Sequence, residues 1–159
     1  ALIGALAASL GQRHLAAVVR AMGGHSADVF WQRCERQIDY RERFAKAMDA
    51  SDAGPLDLLL GPPVALPAFT HGATKDLGLP GIYTTLYNVL GYPAGVVPVT
   101  RVKSGEESDR PKSGDMAEKA AAKVEAGSAG LPLAVQVAAR PWGEHQALAA
   151  MAVIEASRA

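Results

Sequence analysis

The chain has 159 residues, 49% of them apolar and 20% charged, which is the balance of a globular domain or a piece of one rather than of a disordered chain. Lysine plus arginine equals aspartate plus glutamate at 16 each, so no cationic surplus exists to neutralise phosphates, and nucleic acid is not the expected partner. Cys34 is the single cysteine; it can close no internal disulfide, lacks companions for a zinc cluster, and gives no sign of an oxidising compartment.

The chain opens on alanine with "ALIGALAASLG", an apolar run without the basic start of a secretory signal, as if cut from something longer. It is too short to cross a bilayer, which takes about 20 apolar residues. Leu2, Ile3, Leu6, Leu10, Val18, Val19 and Met22 recur at helical spacing, with a polar break at Gln12 to His14 that predicts two short helices or one kinked one, stopped by Gly23-Gly24. The simpler role for this stretch is packing on its own protein, since its polar face is poor in lysine and arginine.

In "HSADVFWQRCERQIDYRERFAKAMDAS", Ser26 is placed as an N-cap and Asp28 sits where the helix dipole favours a negative charge. Phe30, Cys34, Ile38, Ala45 and Met48 form the expected buried stripe, with Asp39–Arg43 and Glu42–Lys46 as i,i+4 pairs on the wet side. After Gly54-Pro55, "LDLLLGPP" predicts a strand covered on both faces and stopped abruptly. Residues 66–80 read as irregular structure. Ile82 to Leu90 fits helix or extended chain by pattern alone and ends at Gly91 and Pro93. "AGVVPVTRV" predicts a strand whose Pro98 places it at an edge or a bulge.

Residues 103–130 form a polar insertion with one small helix announced by the capping-box spacing of Asp115 and Glu118, its mixed charges expected only to keep it in water. "LPLAVQVAAR" returns to strand, and an Ala-rich terminal helix follows. The order of elements is that of an α/β fold.

A catalytic set is missing from these residues. Of the eight serines, Ser128 in "EAGSAG" has Ala126 where a nucleophile elbow needs its first glycine, and Ser26 beside His25 is accounted for by capping. His14, His25, His71 and His145 are scattered without an i,i+4 pair, so no metal site is expected, and no glycine-rich phosphate loop is present.

Three segments in order carry a family resemblance: "LDLLLGPP", then "YTTLYNVLGYPAGVVPVT", then "GLPLAVQVAARPW" with Glu144 just afterwards. Together they resemble the C-terminal region of the amidase-signature hydrolases, most closely the fatty-acid amide branch, over nearly the whole chain. The resemblance implies the C-terminal third of an α/β domain with a mixed β-sheet flanked by helices, and residues 1–159 as part of that single domain. It further implies amide hydrolysis by a lysine, a bridging serine and a nucleophilic serine upstream of this sequence, with no metal or cofactor. Residues 1–24 then correspond to membrane-cap-like helices. Carried over by position, the acyl-channel residues fall on Val18, Met22, Gly81 and Thr85, a lipid-like small molecule is the substrate, a membrane surface and a homodimer are the further partners to test, and the protein is placed in the cytoplasm or peripherally on a membrane. Gly81 and Thr85 stand where relatives carry bulkier apolar residues, which implies a wider channel or a different acyl chain. A general amidase for small amides or esters, and a non-catalytic binding module if the chain is naturally short, are the alternatives.

Overall fold

A computed structural model describes residues 2–21, 26–77 and 79–157. The elements are α1 (Leu2–Ser9), α2 (Arg13–Ala21), α3 (Ala27–Asp49), β1 (Leu58–Gly61), two 3-10 turns (Ala73–Lys75 and Leu79–Gly81), α4 (Ile82–Leu90), β2 (Ala94–Arg101), α5 (Met116–Glu125), β3 (Pro132–Ala139) and α6 (Glu144–Ala156). They gather into two compact units, one of Ala1–Gly24, Leu66–Pro80 and Arg101–Pro132, the other of His25–Ala65, Gly81–Thr100 and Leu133–Ala159.

The second unit is an α/β layer structure. Its open sheet has the strand order β1-β3-β2, with β1 antiparallel to β3 and Leu59 opposite Ala138. The start of β2 meets the end of β3, where Ala139 N–H donates to the Pro93 carbonyl, so this pair is antiparallel as well. β3 is central, and Val137, Ala138 and Ala139 are fully buried. Alternation along the strands then separates two cores. Ala138 and Leu59 face Met48, Tyr87, Leu90 and Tyr92 from α3, α4 and the turn after it. Val137, Ala139 and Leu58 face Val97 and the α6 residues Ala147, Ala150 and Met151. α6 lies close on the sheet at Gly95, where an added Cβ would come within 2.4 Å of Met151 Sδ.

β1 is therefore covered on both faces at Leu58 and Leu59, as its apolar run predicts, but it stands at the sheet edge and Leu60 is 65% exposed. Pro98 also lies at an edge, since β2 has a neighbour on one side among the described residues. The ambiguous segment 82–90 is helical. Thr84 and Thr85 hydroxyls donate back to the Gly81 carbonyl at 2.7 and 3.2 Å, and Gly91 closes the helix at φ +72°, a conformation glycine adopts without a Cβ clash.

α3 begins as its sequence dictates, with the Ser26 Oγ accepting from Val29 N–H and Asp28 in the first turn. Its buried face differs from the expected stripe. Phe30 and Ile38 are more than half exposed, Cys34 is half-buried, and only the lower half, Phe44, Ala45 and Met48, packs inward. The reason is a polar bond on the packing side: Gln37 and Arg41 both donate to the Val89 carbonyl at the end of α4, which turns the 37–41–44–48 face inward. The expected Asp39–Arg43 and Glu42–Lys46 pairs are not ion pairs among the described residues; Arg43 Nε instead donates to the Asp39 carbonyl at 3.4 Å. Side-chain entropy outweighs so small a surface attraction.

The first unit contains α1, α2, the turns of 66–80, and α5. Two separate helices form, as one of the two expected arrangements, but the break falls at residues 10–12 and Arg13 and His14 already begin α2, while the Gly23-Gly24 stop and Met22 lie outside the described residues. Leu66, Leu77, Ala121 and Val124 form its core, backed by Phe69 and Ala73. Asp115 caps α5, accepting from Ala117 and Glu118 N–H at 2.8 and 3.4 Å. The insertion's charges do more than solvate it. Arg110 is held between Glu118 and Glu125, and Glu125 is 8% exposed and also accepts from Ser108. Buried charge requires such pairing, and it ties residues 108–110 to α5.

Candidate functional site

The uncharged stretch Tyr83 to Thr100 builds α4, the Gly91 turn and most of β2. Tyr87, Leu90, Tyr92 and Val97 within it are buried in the two cores, so half of its large side chains serve packing. Burial pushes the Tyr87 phenol above its ordinary pKa. Ile82, Tyr83 and Val96 are exposed at 60, 43 and 47% and leave an apolar outer face on the same elements. Gln136 lies buried at the centre of β3 with its Oε1 unpartnered, and Asn88 is exposed.

The four channel candidates divide by unit. Gly81 and Thr85 lie together at the first turn of α4, Gly81 half-buried and Thr85 exposed, joined by the Thr85 hydroxyl bond to the Gly81 carbonyl. Gly81 has an ordinary φ of −80°, and an added Cβ would meet nothing nearer than Thr84 Oγ1 at 3.9 Å. The backbone therefore does not require glycine there; the position is simply left without a side chain. Val18 is half-buried on α2, in the other unit, and Met22 lies outside the described residues.

Sequence reading missed a recess of about 400 Å³ in the second unit. Its walls come from the lower half of α3 (Arg41, Glu42, Ala45), from Leu90, Gly91 and Tyr92, and from the turn after β3 (Arg140, Pro141). Arg140 Nε donates to the Leu56 carbonyl at 2.8 Å and its Nη2 to Asp49 at 2.7 Å. That turn ends with Trp142, 88% exposed and at φ +68°, the one non-glycine residue with positive φ among those described. The local signal for the recess is Arg140-Pro141 just after β3, whereas nothing in the sequence singles out Arg41 in the interior of α3.

In the first unit, hydrogen bonding to Glu125 raises the Arg110 pKa further above an already high value, against the opposing effect of burial. Arg110 in turn holds the Glu125 and Glu118 carboxyls below the usual range, with His14 adding to the effect on Glu118 at 3.0 Å. Burial works to raise Asp115, and the N–H donors of Ala117 and Glu118 outweigh it. Ser128 is fully buried, its Oγ without a partner, which is no place for a nucleophile. Among the described residues no cluster of three histidine, cysteine, aspartate or glutamate side chains is placed to hold a metal, and no helix is long and apolar enough to cross a membrane.

The amidase family profile matches residues 6–148, which takes in both units and the whole Tyr83 to Thr100 stretch. The chain belongs to the amidase family. Amide carbon–nitrogen hydrolysis is the chemistry of that family's intact members. The chain is 39% identical over 120 residues to "Fatty acid amide hydrolase 1" of Caenorhabditis elegans, an alignment covering 73% of this chain and 20% of that protein. It is 35% identical over 151 residues to "Fatty-acid amide hydrolase 1" of Sus scrofa, covering 89% of this chain and 24% of that protein. The chain thus spans about a fifth to a quarter of the length of these relatives.

Proposed function

We propose that the protein containing this chain is a serine amidase that hydrolyses the amide bond of fatty-acid amides or related lipid amides. The 159 residues supply scaffold and part of an apolar acyl channel. The observation that carries this reading is the family match together with two relatives that both bear the fatty-acid amide hydrolase name. The nucleophilic serine, bridging serine and lysine belong to upstream polypeptide in this reading.

Gly81 and Thr85 line the channel in this proposal, while Val18, in the other unit, and Met22, outside the described residues, are candidates from the resemblance alone. The space above Gly81 supports it, because a side-chain-free position on an apolar helix end widens a passage without straining the backbone. The exposed apolar residues Ile3, Leu6 and Leu10, at 70, 61 and 67%, support weak association of α1 with a lipid surface.

Release of amine from a long-chain acyl amide, measured on the full-length protein and on the 159-residue chain, tests the assignment. Turnover by the full-length protein alone is expected; turnover by the short chain would overturn the upstream placement of the triad. Preference for acetyl over long acyl amides would instead select a general amidase.

A further inference from the structure

We propose that the recess between α3, the Gly91 turn and the turn after β3 is a binding site for an amphipathic organic carboxylate, a short aliphatic or aromatic body carrying one anionic head. The walls are mainly apolar, from Ala45, Leu90, Tyr92 and Pro141, which suits a hydrocarbon body. Two arginines, Arg41 and Arg140, line the same space.

Both cations are already fixed in place. Arg41 Nε donates to the Val89 carbonyl at 2.6 Å, and Arg140 Nε donates to the Leu56 carbonyl at 2.8 Å. Bonds at Nε hold the guanidinium planes, so little side-chain freedom is left to lose on binding. Among the described residues, Arg41 makes no hydrogen bond through either Nη atom, and Arg140 makes none through Nη1. These are the donor edges that receive a carboxylate. The Arg41 guanidinium lies against Gly91, its Nη2 3.7 Å from where an added Cβ would stand, an ordinary contact distance. Tyr92, buried in the core, contributes apolar surface to the wall.

Two carboxylates oppose an anion. Asp49 takes up Arg140 Nη2, and Glu42 lines the recess without an ion pair among the described residues. Arg41 also offsets the negative end of α4 at Leu90 and Gly91. A bare anion such as phosphate therefore has little reason to settle here. A ligand that adds apolar contact to a single negative charge does.

The test is titration of the full-length protein containing this chain with octanoate, octanol and inorganic phosphate, followed by amide chemical shifts of residues 41–45 and 90–92. Octanoate is expected to saturate, with octanol weaker by about tenfold or more for lack of the charge-assisted bonds, and phosphate without a saturating response. Glu42→Gln, on an exposed position, is expected to tighten octanoate by roughly threefold, because it removes a like charge at the rim. Arg41→Gln is expected to weaken it by about tenfold, and Ala45→Phe to abolish it by filling the floor. Equal binding of octanol and octanoate, or octanoate affinity unmoved or weakened in Glu42→Gln, overturns the proposal. Should Arg41→Gln or Ala45→Phe fail to fold, the Glu42→Gln shift and the octanol comparison still decide it.

Discussion

Replacing Glu125 by glutamine removes one of the two buried carboxylates of the first unit while keeping its shape. Glu125 accepts from Arg110 Nη2 at 2.7 Å and Nε at 3.1 Å, and from the Ser108 hydroxyl. Breaking a fully buried ion pair costs about 3–5 kcal/mol. Arg110 is 26% exposed and keeps Glu118, so solvent and the second carboxylate recover part of that, leaving an expected cost of about 2 kcal/mol. Trp31 and Trp142 both lie in the second unit, so tryptophan fluorescence does not report on this change. Hydrogen exchange does: amides of α5 should exchange about thirtyfold faster in Glu125→Gln.

The pH dependence has a defined sign. Glu125, Glu118 and Asp115 all have folded pKa values below their ordinary ones, so the stability they contribute is complete above the ordinary carboxylate range. That stability is lost as pH falls through the lowered values. Exchange protection of α5 should therefore weaken on acidification below about pH 4.5, the ordinary glutamate range, and Glu125→Gln should flatten that dependence. Unchanged α5 protection in the variant, or the same acid sensitivity with and without Glu125, would refute the idea that this network holds the insertion.

Trp142→Gly should raise the urea midpoint: relief of its positive φ exceeds the extra chain entropy by about 1 kcal/mol, and an 88% exposed ring loses no packing. Val137→Ala at the centre of β3, with no exposed surface to begin with, should lower stability by about 2–3 kcal/mol in the same assay, from lost transfer energy and a cavity. Gly95→Ala drives a methyl against Met151 and should cost about 1–2 kcal/mol in the unaltered chain but little when made in a Met151→Ala background; an equal loss in both backgrounds would show that backbone rather than Met151 limits the site.

Local chemistry determined a good part of this protein. Ser26 and Asp115 cap α3 and α5 because their side-chain oxygens reach N–H groups two or three residues away, and the αL glycine at 91 ends α4 for an equally local reason. Pro98 marked β2 as an edge strand because it lacks a donor, and the ordered segments around "LYNVLGYPAGVVPVT" carried the family resemblance. Segment 82–90 could not be settled by pattern, since its uncharged Tyr, Thr and Val residues fit helix and strand alike; its threonine back-bonds and its packing against Met48 decide for helix.

Tertiary contact alone decided which side of α3 is buried, how the insertion is held, and where the recess lies. Arg41 meets the Val89 carbonyl across 48 residues, Arg140 meets the Leu56 carbonyl across 84, and Arg110 meets Glu125 across 15 as well as Glu118 across 8. A periodic pattern ranks arginine as solvent-facing by its charge. Only the folded chain supplies the helix-end and turn carbonyls, and the buried carboxylate, that make these arginines part of the packed structure, because each needs a partner brought from elsewhere in the sequence.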